Sequence, residues 1–515
     1  MAFPRSITAL ELKALTIDHA LLDIRDLGEY EKAHLGGATP LPRARIESDL
    51  AAIVPDTSAC LVLYGEDDVR ARLAAQTAKS LGYTDVRVLE GGIAAWQASG
   101  GAVHSGTNVP SKVFGESLLH EDGVPEVTVQ ELARELEDAG HAPLVIDVRT
   151  GAEFLRGCIP GAVNLPGGDL VRAASELKAT GRPIVTHCAG RTRSLVAAAT
   201  LRKLGIDNVR ALRNGTMGWL LDGKQVETPA KLRRFEWRDV PSTDAATPSP
   251  FESAGVTAHE LHERMAHLLR DFYLFDVRGT AEFEAAHVPG AKHVPGGQLV
   301  QCADDHIALH RADIIVVSLR AERAAVTASW LRRMGYSRAQ VLQGGIAAWQ
   351  AAGYGVEKGA AATLRVPDRA PYVDAATLAR EIESDAQPVV LDLGSSIRFD
   401  KRHIPGAHWI SRGWLEIEMP QRIAVRGTPI VVSGTSHEQA QLAARTLQGL
   451  GYTHIRVLHE SIDEWREAKH PLEAGRTSAW SRVKDLANLA ILNRDFEAMQ
   501  HYLDWEVALA GKHRG

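Results

Sequence analysis

The chain has 515 residues, with 58 Lys and Arg against 64 Asp and Glu for a formal charge of −6, and 45% of its residues are apolar, 24% charged and 6% aromatic. This is ordinary globular composition, too long for one core and sufficient for about three or four domains. The mildly acidic balance without a Lys/Arg-rich block argues against nucleic acid or an anionic membrane surface as the main partner.

The first apolar stretch is interrupted by Glu11, Lys13 and Asp18, too early for the core of an export signal. No run reaches the roughly 18 apolar residues of a membrane helix. Cys60, Cys158, Cys188 and Cys302 form neither a disulfide framework nor a C-x-x-C pair. The expectation is a cytoplasmic protein whose chemistry requires no metal and no organic cofactor.

In chain order, Thr8-x-x-Glu11 predicts a capped helix. LLDIRDLGEYEKAHLGGA then predicts a buried strand ending at Asp23, followed by a turn, and VLEGGIAAW closes the unit at Trp96. The same succession returns three times. Asp147, Asp276 and Asp392 repeat the aspartate, Trp219, Trp349 and Trp465 the tryptophan, and Thr128-x-x-Glu131, Thr257-x-x-Glu260 and Asp374 the cap. Tryptophans recur at intervals of 123, 130 and 116 residues and aspartates at 124, 129 and 116, so the period is that of a domain.

Within a unit, short β-rich apolar runs alternate with helices, as in Pro183-Ile-Val-Thr followed by SLVAAATLRKLG. That pattern predicts an α/β fold, a mainly parallel sheet with helices on both faces. The expected organisation is four tandem domains over residues 1–108, 126–235, 254–358 and 372–471. Linkers are expected at Ser99–Pro125, Ser242–Ser253 and Lys358–Pro371. Residues 472–515 form a tail whose Val483, Leu486, Leu489, Ile491, Leu492, Phe496, Met499 and Leu503 have helical spacing and predict a helix or two packed on the last domain.

Counting back 17 residues from Gly82, Gly205, Gly335 and Gly451 aligns four loops on Gly65, Cys188, Ser318 and Gly434, so only the second repeat has a thiol there. Its loop reads His187-Cys188-Ala189-Gly190-Arg191-Thr192-Arg193-Ser194 between a strand and a helix. Ala189 to Arg193 are expected to cradle an anion with backbone N–H groups at a helix N-terminus. The same field, with Arg191 and Arg193 beside it, favours the thiolate of Cys188. In the first repeat Glu66, Asp67 and Asp68 would repel an anion; in the third, Ser318 has no base beside it; in the fourth, Gly434 and Gln439 lack thiol and arginine.

Asp147 and Arg149 recur in repeats without a thiol and read as an ion pair at the strand end that supports the site. His187 reads as strand-end packing and the tryptophans as core. Cys158 stands where the sister repeats have His34, His287 and His403. It is either a structural replacement or a second active thiol.

Asp147-x-Arg149, Glu153-Phe154, Ile159-Pro-Gly-Ala162, the cysteine loop and Gly215-x-x-x-Trp219 together resemble the rhodanese (thiosulfate sulfurtransferase) family, and the other three repeats resemble rhodanese-like domains with inactive loops. The resemblance implies that Cys188 accepts a sulfane sulfur as a persulfide and passes it to a thiophilic acceptor. The implied partners are a small sulfur-containing anion, thiosulfate or a persulfide, and a thiol or protein sulfur acceptor. Mercaptopyruvate-type members carry Gly-Ser-Gly or Gly-Ala-Gly after the cysteine, whereas Ala189-Gly190-Arg191 with Arg193 suits a small dianion. A cysteine phosphatase is the rival, but its arginine stands six residues after the cysteine, and here Arg193 stands five after Cys188. A non-catalytic scaffold or a thiol redox sensor is the reading from a different class.

Overall fold

Apolar runs without polar alternation have to be covered on both faces, and the computed structural model gives every repeat that arrangement. It describes residues 4–138, 140–237, 250–251, 253–266, 271–360, 366–367, 369–385, 387–459 and 461–512. Each repeat closes around a five-stranded sheet. Numbered from the start of a repeat, the strand order is 1-5-4-2-3 in all four. In the second repeat the strands are Glu126–Val127, Leu144–Asp147, Val163–Asn164, Ile184–His187 and Val209–Leu212, all paired in parallel. The second and fourth strands are neighbours, and the chain leaves them toward opposite edges. That reversal opens a crevice beyond their carboxyl ends, where Asp147 lies in register with His187 and the next residue is Cys188.

The predicted capping boxes at Thr8, Thr128 and Thr257 are formed, and the Asp374 side chain accepts from Thr377 N–H. Each closing tryptophan donates its indole N–H to a carbonyl six residues on, at Ala102, Gln225, Gly355 and Pro471, over 2.8–3.0 Å. The tryptophans thus lock the end of each repeat and are not ligand platforms.

Two expectations from sequence are corrected. Where the Gly, Pro and Ser of Ser99–Pro125 suggest a linker, residues Val109–His120 form a helix that buries Phe114 and Leu118. Pro110 lies in its first turn, where a missing N–H is harmless. The tail is helical over Leu489–Leu492 and Phe496–Lys512, but Val483 and Leu486 lie in irregular chain held by Gly28 N–H on Lys484 O (2.8 Å) and Trp480 N–H on Trp409 O (2.8 Å). The Phe496–Lys512 helix packs on the second repeat rather than the last. The linker Ser242–Ser253 lies almost wholly outside the described residues, and Lys358–Pro371 partly so.

The chain forms two compact units. One comprises Met1–Leu50, Cys60–Thr107 and Thr363–Leu489, and so joins the first and fourth repeats. Inside it Arg412 reaches Glu47 (2.8 Å) and Arg43 reaches Glu416 (2.6 Å). The other comprises Ala51–Ala59, Asn108–Ala362 and Ala490–Gly515, and joins the second and third repeats with the C-terminal helix. There the Trp330 indole donates to Thr200 Oγ1 (3.0 Å), and Arg323 of the third repeat pairs with Asp169 of the second (2.8 Å).

Trp330 is 1% exposed, so Trp330→Ala should remove about 3–5 kcal/mol from the second unit. Urea unfolding followed by amide exchange in residues 126–235 and 254–358 measures this. An unchanged midpoint would show that the two repeats do not depend on that contact.

Candidate active site

The strand Ile184–His187 is buried throughout, and the helix Thr192–Lys203 follows after four residues. Gly215 (φ 52°) and Asn214 (φ 63°) sit in the left-handed region, which brings the start of the Gly215–Leu221 helix against the loop. A side chain at Gly215 would overlap the Cys188 and Gly190 carbonyl oxygens. Thr216 N–H donates to Cys188 O and Met217 N–H to Ala189 O, both at 2.9 Å. A trans peptide points its C=O and its N–H in opposite directions. Drawing the carbonyls of Cys188, Ala189 and Gly190 toward Gly215 therefore turns the N–H groups of Ala189, Gly190 and Arg191 the other way.

Cys188 is 2% exposed, and its Sγ lies 3.7 Å from Ser194 Oγ. The Ser194 hydroxyl donates to Arg191 O at 2.7 Å, which leaves its lone pairs facing the sulfur. The sister repeats have Ala71, Ala324 and Ala440 at this position and Asp68, Ala321 and His437 in place of Arg191. Ser194 and Arg191 thus share the second repeat's individuality with the thiol. Carrying the loop alignment a few residues further would have found Ser194.

Both arginines are buried against carboxylates. Arg191 donates from Nε to Glu116 Oε1 (2.6 Å) and from Nη1 to Asn214 Oδ1 (3.1 Å), with Glu126 at 3.3 Å. Glu116 belongs to the helix that sequence reads as linker. Burial raises its carboxyl's pKa above the ordinary value, against the opposing pull of Arg191. Arg193 makes a two-pronged pair with Glu153 at 2.9 and 2.8 Å. Burial works against the Glu153 carboxylate, but Arg193 and the Thr150 cap outweigh it and bring its pKa down to about 2.

The Arg193–Glu153 pair returns as Arg70–Glu29 and Arg323–Glu282, so it clamps the loop helix to its neighbour whether or not a thiol is present. The fourth repeat breaks the clamp in a compensated way. Gln439 replaces the arginine, Arg398 replaces the glutamate, and Arg398 turns to Asp392. Gly394 then stands in place of the usual strand-end arginine, because a side chain there would overlap the Arg398 guanidinium.

At the strand end Arg149 grips Asp147 through Nε (2.9 Å) and Nη2 (2.6 Å) and also donates to Gly157 O (2.6 Å). Asp23–Arg25 and Asp276–Arg278 do the same in their repeats. His187 is fully buried with Nε2 3.7 Å from Asp147 Oδ2. Burial lowers its pKa to about 4, with Asp147 opposing only in part, so the ring beside Cys188 is neutral at pH 7.

Cys158 is fully buried in the apolar core of its repeat. It pairs through its backbone with Glu227 as His287 and His403 pair with Glu357 and Glu473. Its Sγ lies 3.6 Å from Glu227 Oε1 and 3.7 Å from Arg233 Nη2, and burial pushes the thiol's pKa up. The sister histidines stack on the aromatic ring four residues earlier, Tyr30, Phe283 and Phe399. Cys158 fills the same corner without the ring.

The loop helices differ at their first turn. Asp67 caps the first repeat's helix and Ser436 the fourth's. In the third, Ser318 Oγ accepts from Ala324 N–H (3.3 Å) and donates to Arg320 O (3.1 Å), so its hydroxyl is spent on the loop. The helix at Thr192 has no side-chain cap. Among the described residues, no helix is long and apolar enough to cross a membrane.

The rhodanese-like domain family model matches residues 8–99, 128–222, 257–352 and 374–468. A solved thiosulfate sulfurtransferase from Pseudomonas aeruginosa superposes with a TM-score of 0.86 at 32% identity, over 98% of this chain and 97% of that one. An Allochromatium vinosum sulfurtransferase is 33% identical over 106 residues, 21% of this chain and 97% of its own length. The Escherichia coli 3-mercaptopyruvate sulfurtransferase is 27% identical over 198 residues, 33% of this chain and 67% of that protein. With four matched domains, four sheets of one topology and a neighbour alike over its whole length, the chain belongs to the rhodanese-like domain family.

Proposed function

We propose that the protein transfers a sulfane sulfur from thiosulfate through a persulfide on Cys188. The observation that carries this reading is the uncapped start of the Thr192–Lys203 helix directly after the one loop cysteine. First-turn N–H groups without a cap, together with the amides of Ala189, Gly190 and Arg191, make an electropositive cradle for a sulfur anion.

In the proposed reaction the Cys188 thiolate attacks the outer sulfur of thiosulfate. The sulfur–sulfur bond of the donor breaks, and sulfite departs with its electron pair. A thiophilic acceptor then attacks the terminal sulfur of the persulfide and returns Cys188 as thiolate. The amides receive the negative charge at both stages, and Arg193 adds to that field from its clamped position. Ser194 is proposed to rotate its hydroxyl from Arg191 O to the sulfur as charge develops there. His187, neutral and buried, is assigned no part in the transfer. Asp147 and Arg149 hold the adjoining strand end, and Cys158 is read as the substitute for a histidine rather than as a relay. The covalent intermediate predicts ping-pong kinetics.

Cys188→Ser should abolish thiosulfate:cyanide turnover without shifting the thermal midpoint, because a hydroxyl is a poor nucleophile without a base. Turnover at the wild-type rate would exclude Cys188 as the acceptor.

Ser194→Ala reproduces what the sister loops contain and should fold normally. The hydrogen bond it removes from a charged sulfur is worth about 1.5–3 kcal/mol, so kcat/KM should fall roughly ten- to a hundredfold. Unchanged kinetics would mean that the backbone amides suffice.

A further inference from the structure

The start of the loop helix in the second repeat is approached by another part of the same chain. The C-terminal helix Phe496–Lys512 lies against the Val109–His120 and Gly215–Leu221 helices, all within one compact unit. Met499 and Leu503 form a small apolar cluster with Met217, against which Ala189 of the cysteine loop and Tyr502 pack. One turn after Leu503, Glu506 is buried to 1% exposure. Its Oε1 accepts the Thr192 hydroxyl at 2.8 Å, with Lys112 Nζ 4.0 Å away. Its Oε2 has no hydrogen-bond partner among the described residues, and a Cβ built on Gly190 would lie 3.2 Å from it.

A carboxylate therefore sits beside the first residue of the uncapped helix, bonded to the Thr192 hydroxyl and not to the backbone N–H groups. Its negative charge suits that helix end and opposes any second anion there. One carboxylate oxygen is buried without a donor, which works against the seated state. Displacing it would free the Thr192 hydroxyl, the Lys112 ammonium and the helix N-terminus together.

We propose that Glu506 is the access- and specificity-determining residue of this site: seated, it occupies the donor's anion position over the Cys188 loop, and an anionic donor reaches Cys188 only as the C-terminal helix gives way. The proposal rests on reading Cys188 as the sulfur acceptor, and its test is independent of that chemistry. In the full-length protein, Cys188 is alkylated with neutral iodoacetamide and with anionic iodoacetate, and the modified cysteine is identified by peptide mapping.

In Glu506→Gln, which retains an acceptor for Thr192 and removes the charge, the iodoacetate rate should rise about tenfold relative to the iodoacetamide rate, and the KM for thiosulfate should fall by a similar factor. In Leu503→Ala, which weakens the seat and keeps the charge, both alkylation rates should rise severalfold. Gln500→Ala, on the exposed side of the helix, should leave both unchanged. A Glu506→Gln rate ratio within twofold of wild type would overturn the role of the charge. Unaltered alkylation in Leu503→Ala would overturn the helix as the barrier. If alkylation responds as expected but thiosulfate leaves no sulfur on Cys188 in any variant, access control stands and the sulfur-transfer reading falls.

Discussion

The first turn of an α-helix leaves backbone N–H groups that must find an acceptor, and the four repeats of this chain answer that requirement in different ways. Asp67 and Ser436 cap the loop helices of the first and fourth repeats, and Ser318 serves that turn in the third. In the second, the loop supplies a thiol and no side-chain cap. The amides of Ala189, Gly190 and Arg191 face away from Gly215 because the carbonyls preceding them are drawn to it. The proposed chemistry of the loop follows from that unmet hydrogen-bonding demand, and Glu506 lies beside it on the Thr192 hydroxyl.

What surrounds the loop is mostly a shared frame. The Asp–Arg grip at the strand end and the Arg–Glu clamp on the loop helix occur with and without a thiol. They fix how strand, loop and helix meet, whether or not the loop carries a thiol. The fourth repeat supports this, since its lost clamp arginine coincides with Arg398 taking over Asp392. The second unit adds parts from outside the second repeat. Glu116 comes from the segment before it, Asp169 is met by Arg323 of the third repeat, and the loop is covered from the C-terminal helix. A thiol-less repeat thereby contributes to the site as a packing partner.

The parallel-sheet α/β class, the four repeats and the thiol loop were legible in the sequence because they rest on local signals: capping boxes, buried strand runs, and aspartate and tryptophan markers that move together. The helix at Val109–His120 was not, because Pro110, Ser111 and Gly115 imitate a linker. Only its packing on the loop helix, where Gly115 lies against Thr192, shows why small residues are needed. The distant carboxylates that meet Arg191 and Thr192 were also hidden. Glu116 and Glu506 lie 75 and 314 residues from the loop residues they bind, and no periodicity carries such a pairing. Reading the arginines as free cations for a donor anion followed from seeing the loop without them.

The central claim is that a single sulfur atom passes through Cys188. It is tested most directly by treating the reduced protein with thiosulfate in the absence of acceptor and mapping the product by peptide mass spectrometry. The account predicts one added sulfur, confined to the peptide containing Cys188 and removed by cyanide. Sulfur on Cys60, Cys158 or Cys302 with Cys188 unmodified, or none on any cysteine, would contradict it.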